Sequence, residues 1–397
     1  MKRFSVMLLA LVVIAAMAVP AMAADNLSLS GQMRVRAWAL QAPAYNSTTN
    51  TWSPAAYDNT FLDQRLRIGG KFAVAEGVSI TFRTDVTEAT WGANGGAGKY
   101  GAGRLPASNG NQWDRAHLDL TSGDFHLRAG QQFAGFGIEG GTVNSQSNGF
   151  RVDMKGAVSF SGFFLLEPGK VDDGYLTAFQ VGNKDYKVFA VNQRAVADVD
   201  ESVTLVGANG KTSFGAINVK GELDFFTGDA NATTDATGTQ LFVDGSMAVG
   251  DAATVGGQLF YAAAAGTGES QYVGLGNDFG GWDPLVDVGT SLSNEKLKVG
   301  RPFDFTGDGA GVIGLRLSYN VKSSDAVNYA ASLAYLTPED DTVTTTDNTM
   351  LVAVGTTYKV MANTSLQAQV QYLSTSLDSG TDPEATLDFG FGLFVNF

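Results

Sequence analysis

No cysteine occurs anywhere in the chain. Its absence excludes disulfides, thiolate metal sites and Cys-linked haem. Proline is scarce (9 residues), so few segments are broken by its ring. After the N-terminal segment no stretch approaches the ~20 continuous apolar residues of a transmembrane helix. Histidine occurs only twice, at His117 and His126. There is no Gly-x-Ser-x-Gly elbow, no His-Glu-x-x-His helix and no phosphate-cradling glycine loop. The expectation is therefore no enzyme, no cofactor and no metal site. A formal charge of −14 gives no support to nucleic-acid binding.

What is present begins with an export signature. Lys2 and Arg3 precede an apolar run from Met7 to Ala18, and Ala21-Met22-Ala23 fits the small-x-small cleavage rule. This predicts a signal peptide at 1–23 and a single mature domain at 24–397. With no Cys after the apolar run, a lipoprotein is not expected. Glycine is abundant (49 residues), and mean hydropathy is near zero. A membrane β-barrel has such an average, because lipid-facing and lumen-facing residues alternate and cancel.

Alternation runs through most of the chain. Leu27, Leu29, Met33 and Val35 alternate with Ser28, Ser30, Arg34 and Arg36. At the C-terminus Leu387, Phe389, Phe391, Leu393, Val395 and Phe397 alternate with Asp388, Gly390, Gly392 and Asn396, with Phe394 as the large apolar intruder. Period 2 marks strands with one greasy and one polar or small face. The pattern predicts strands at 26–40, 61–74, 78–87, 112–121, 124–132, 150–157, 159–167, 175–182, 186–192, 201–208, 212–226, 240–249, 254–264, 311–322, 326–336, 349–360, 365–374 and 386–397. Short joints, among them an Asn209-Gly210 hairpin turn, alternate with long ones near 41–60, 88–111, 133–149, 227–239, 265–310, 337–348 and 375–385. Short turns on one rim and long loops on the other predict an all-β, up-and-down antiparallel transmembrane barrel of about 18 strands, with 16 as the alternative.

Charge is unevenly placed. Residues 1–155 carry 14 Lys/Arg and 11 Asp/Glu, whereas 156–397 carry 12 and 29. Much of the later acid falls in expected loops, where it solvates the surface or bridges divalent cations to lipopolysaccharide. Asp304 to Gly309 lacks the ligand spacing of an EF-hand, so no calcium site is expected there. Arg34, Arg36, Arg65, Arg67, Arg83, Arg115, Arg128 and Arg151, with His117 and His126, all fall on the polar face of the first six strands. Eight of the 13 arginines thus line one wall of the expected lumen. Asp63, Asp85, Asp119 and Asp153 share that face. A low-dielectric wall focuses the field of such a cluster and favours anions; pairing with the carboxylates would leave little selectivity.

The closing Thr386-to-Phe397 segment resembles the C-terminal strand of Gram-negative outer-membrane β-barrels, which finishes on a Phe read by the barrel-assembly machinery. The arginine wall resembles the arginine ladder of general porins, which faces an acidic loop folded into the channel after the fifth strand. Here Phe133 to Gly141 follows the fifth strand, making 133–149 the candidate pore-constricting loop, with Phe136 and Glu139 at its centre. Glu139 is the only acid between Gln131 and Arg151, a departure from the family's usual pattern that weakens any transverse field. The resemblance implies an outer-membrane porin: a water-filled channel for passive diffusion of small hydrophilic solutes, surrounded by lipid and lipopolysaccharide and assembled as a homotrimer. A second reading stays open, in which the barrel is structural or accessory: a sleeve for a partner protein, an adhesin or a receptor.

Overall fold

The computed structural model describes residues 26–41, 45–46, 51–56, 59–91, 113–138, 142–166, 174–195, 200–276, 288–292 and 309–397. The segment read as a signal peptide, Glu139 and most of the Asp304-to-Gly309 stretch lie outside them. Among the described residues no helix is long and apolar enough to cross a membrane.

Eighteen strands form the barrel: β1 (Leu27–Leu40), β2 (Asn59–Ala75), β3 (Val78–Thr90), β4 (Trp113–Ser122), β5 (Phe125–Phe136), β6 (Val143–Met154), β7 (Ser159–Leu166), β8 (Tyr175–Gly182), β9 (Tyr186–Ala195), β10 (Glu201–Phe214), β11 (Ile217–Asn231), β12 (Thr234–Val249), β13 (Ala253–Ala262), β14 (Val312–Lys322), β15 (Val327–Thr337), β16 (Thr346–Met361), β17 (Thr364–Leu377) and β18 (Thr386–Asn396). Each pairs antiparallel with its sequence neighbours, and β1 pairs with β18, so the sheet closes. A three-residue segment, Glu269–Gln271, adds parallel to the start of β12. A separate hairpin pairs Tyr45–Asn46 with Thr51–Trp52.

The two faces separate by parity. On β18, Leu387, Phe389, Phe391 and Leu393 are exposed, whereas Asp388, Gly390, Gly392 and Phe394 are buried. The exposed face continues around the wall through Phe179, Val206, Phe225, Leu315, Leu317 and Leu333. A continuous belt of bare Leu, Val and Phe is a lipid-facing surface, and closure leaves no unpaired strand edge inside the bilayer. The eleven residues of β18 rise about 36 Å along the strand. Tilted by ~45°, they give the ~25 Å height of a membrane band.

Tight turns on one rim use glycine where the chain must turn left-handed: Gly77, Gly123, Gly215 and Gly250 have φ of 71°, 56°, 60° and 62°. Three joints differ from the sequence reading. Asn209-Gly210 does not turn. Both residues continue β10, paired with Glu222 and Gly221, and the reversal comes at Gly215; an uninterrupted ladder outweighs a local turn preference. The expected long loop at 227–239 is instead strand on both sides of Ala232-Thr233, with a register shift at Asp229/Asn231. Within 133–149, β5 runs through Phe136 and β6 resumes at Val143, so strand pairing shortens the joint to 137–142.

The seam between β1 and β18 is tight. Gly31 and Phe397 exchange two backbone hydrogen bonds, of 2.6 and 3.0 Å. A Cβ on Gly31 would stand 2.5 Å from the Phe397 ring and 2.7 Å from the Arg67 carbonyl oxygen. Gly31→Leu should therefore sharply lower the yield of heat-modifiable barrel on refolding. Gly123→Ala, with nothing within 4 Å of the new Cβ, should cost only the left-handed strain of ~1–2 kcal/mol. Equal yields for the two variants would contradict this account of the seam.

Candidate functional site

Strand parity carries the basic residues to the inner face, where most meet a carboxylate. Arg36, 2% exposed, makes a bidentate pair with Asp63 at 2.8 and 2.9 Å, and its guanidinium lies 5.1 Å from the Trp38 ring centroid. Arg34 reaches Glu88 at 2.7 Å. Arg67 grips Asp85 at 2.6 and 2.8 Å and touches Asp114 at 3.1 Å; Arg83 shares Asp114 at 2.9 Å. Arg128 lies 3.2 Å from Asp119, and Arg151 lies 3.0 Å from Asp153 on its own strand. Arg65 donates to Gln32 at 3.2 Å. Among the described residues neither Arg65 nor Arg115 has a carboxylate within ion-pair distance, and the Nε of each is buried without a hydrogen-bond partner. Six of the eight arginines thus meet six carboxylates.

Two of those six, Glu88 and Asp114, are not legible in the alternation. In strict period 2 each falls on the face opposite its neighbours Asp85 and Arg115. The β2–β3 register shifts at Leu66/Arg67, leaving Val86 unpaired, and the β3–β4 register shifts at Arg83/Thr84, leaving Asp114 unpaired. A bulge turns a side chain to the other face, and here it delivers two acids to the arginines. Expected alternation alone gives a wall twice as rich in excess charge.

The two histidines meet on one carboxylate. His117 Nδ1 is 3.2 Å from Asp119 Oδ2, and His126 Nε2 is 2.9 Å from Asp119 Oδ1, with its Nδ1 3.5 Å from Asp153. Thr81 donates its hydroxyl to the same Asp119 at 2.9 Å.

The opposite wall is of another character. Phe163, Leu165, Leu176, Phe189, Val191, Val203, Leu205 and Phe226 are buried on the inside, and the tip of the β5–β6 hairpin packs onto them. Phe136, 2% exposed, sits 4.9 Å from Phe163 and 6.3 Å from Phe189 between ring centroids. Beyond it Thr142 donates to Glu222 on β11 at 2.6 Å, and Ile138 N–H donates to the same carboxylate. The hairpin tip therefore reaches from the fifth and sixth strands to the eleventh. The joint is shorter than its sequence suggested, but it is folded inward.

A second inward element escaped the sequence reading. The joint between β13 and β14 was recognised as long, yet nothing in its composition announced that it packs inside. Leu275 exchanges backbone hydrogen bonds of 2.9 Å with Thr142 and Asn144, and Gly276 N–H donates to Gln193 at 2.8 Å. Tyr272 donates its hydroxyl to Glu201 at 3.1 Å; burial and that carboxylate push the phenol well above its usual range, which keeps it a donor. Further along the same joint, Thr290 donates to Gln369, Ser291 N–H donates to Gln367 at 2.6 Å, and Leu292 joins a buried cluster with Trp38 and Phe394. One joint thus touches the wall at β6, β9 and β10 and again at β17, β18 and β1. The only signal was apolar Leu275, Val288 and Leu292 inside a polar, glycine-rich stretch.

A hydrogen bond contributes about 0.5–1.5 kcal/mol net, and more when its acceptor would otherwise be buried unpaired. Glu222→Leu should accordingly release the hairpin tip and speed amide exchange at Ile138, whereas Glu222→Gln, which retains an acceptor, should leave most of the protection. Identical exchange in the two variants would show that Glu222 does not hold the tip.

The sequence matches no protein-family model, and no curated protein matches it. Solved structures do match. OccK9 (OpdG) of Pseudomonas aeruginosa superposes with a TM-score of 0.61 at 10% identity, covering 94% of this chain and 98% of that one. A BenF-like porin from Pseudomonas fluorescens Pf-5 gives 0.62 at 11% identity, covering 94% and 99%. OccAB3 of Acinetobacter baumannii gives 0.58 at 11% identity, covering 93% and 99%. Over nearly its whole length, then, the chain has the closed 18-stranded fold of Gram-negative outer-membrane porins.

Proposed function

We propose that the protein is an outer-membrane porin, a passive channel for small hydrophilic solutes that favours anions. One observation carries the reading: a closed barrel with an apolar exterior holds, on one side of its interior, eight arginines against six carboxylates. Charge of that density inside a closed barrel fits the wall of a water-filled path. Pairing leaves an excess of two positive charges, centred on Arg65 and Arg115, so the expected preference is modest. Phe136 and the 137–142 joint, together with the inward segments of the β13–β14 joint, bound the path from the opposite side. Their packing also speaks against a sleeve, which needs a clear lumen. Export with removal of residues 1–23, insertion by the barrel-assembly machinery through Phe397, contact with lipopolysaccharide and a homotrimeric assembly complete the proposal.

The test is reconstitution in a planar bilayer under a KCl gradient. Stepwise conductance with an anion-favouring reversal potential is expected; folded, heat-modifiable protein that passes no current overturns the channel. The double variant Arg65→Gln/Arg115→Gln should fold and bring the anion/cation permeability ratio close to one. Arg36→Gln instead leaves Asp63 buried without its partner, at a cost of about 3–5 kcal/mol, and should show first as lost folding. An unchanged ratio in the double variant removes the arginine excess as the source of selectivity.

A further inference from the structure

Both histidines of the chain belong to a single inner-wall cluster. His126 on β5 is hydrogen-bonded to Asp119 Oδ1 at 2.9 Å, and the Nδ1 of His117 on β4 lies 3.2 Å from the other oxygen without a hydrogen bond to it. The charged groups around them are few. Arg115 and Asp119 share the inner face of β4, and Arg128 lies on β5, 3.2 Å from Asp119. From β6 come Asp153, 3.5 Å from His126, and its partner Arg151. From β3, Thr81 stands opposite His117, with Arg83 opposite Arg115. The carboxylates of this group are already matched: Arg128 answers Asp119, and Arg151 answers Asp153. Any proton taken up by an imidazole therefore adds a positive charge that the wall does not cancel.

From this arrangement we propose that His117 and His126 are specificity-determining residues of the channel, strengthening its anion preference when protonated. The inference rests on the channel reading above and deepens it. Histidine is the side-chain type whose charge changes between pH 5 and 8. With neutral imidazoles the wall carries an excess of two positive charges, and each ring that takes a proton adds one. The lumen wall is of low dielectric, and about 8–10 Å of screening length at moderate salt keeps the added charge within reach of a passing ion.

The sign follows directly: falling pH adds cations to the wall, so the chloride/potassium permeability ratio rises. The experiment is the reversal potential of the reconstituted barrel under a KCl gradient at pH 8 and pH 5, for the wild type, His126→Gln, and the double variant His117→Gln/His126→Gln. Heat-modifiable migration checks that each barrel is folded. The wild-type ratio is expected to rise on the order of twofold between pH 8 and pH 5, the single variant less, and the double variant least. The loop and wall carboxylates are common to all three proteins, so their titration cancels from the comparison. A double variant that rises as much as wild type overturns the assignment, and so does a wild-type ratio that does not move. A folded single variant keeps the test decisive if the double variant fails to fold, because His126 is the more exposed ring: a rise equal to wild type again overturns it. The baseline at pH 8 reports separately on the anion preference: a cation-favouring wild type that still shifts toward anions at pH 5 overturns the arginine reading and upholds the histidines.

Discussion

Everything in this protein depends on the closure of one hydrogen-bonded ring. In hydrocarbon no water can satisfy a bare N–H or C=O group, so a spanning sheet must have no edge. The meeting of β1 and β18 provides that, and its last exchange is between Gly31 and Phe397. Once closed, the sheet fixes a direction for every side chain. Phe389 and Phe391 go to lipid, while Arg34 and Arg36 go inward, because their parity allows nothing else.

The interior is then a problem of charge. Arginines in adjacent strands repel, and Arg34 stands directly opposite Arg65, as Arg83 does opposite Arg115. Carboxylates on the same face relieve much of this, and two of them are supplied by bulges. A bulge breaks the ladder locally, so Glu88 and Asp114 are obtained at some cost in pairing. The reward is a wall dense in charge yet only modestly in excess.

The other side of the interior carries an apolar bed. Inner-facing Phe, Leu and Val on β7 to β11 form a bed onto which the β5–β6 tip and part of the β13–β14 joint pack. Apolar burial against the wall, pinned by Glu222, Gln193 and Gln367, keeps these segments inside the barrel. The interior thus has a side where inward segments pack on apolar residues and a side dense in arginine–carboxylate pairs.

Much of this was legible in the residues. The period of 2 from Leu27 to Phe397 determined the barrel, the parity of eight arginines determined their wall, and the short Ser122-Gly123 joint placed His117 and His126 on neighbouring strands. Alternation reads well because a strand's facing is a local property that every second residue reports. It failed at Asn209-Gly210, where a turn signal lies inside a ladder, and at Val86 and Asp114, where a bulge costs the sequence no visible mark. It also failed at Leu275, Val288 and Leu292, apolar residues whose partners lie across the barrel and up to more than a hundred positions away. Sequence alone determined the facing of residues wherever the ladder is regular. Tertiary structure decided which of them meet, because the bulges, the closed ring and the inward joints place side chains by contacts that no local pattern encodes.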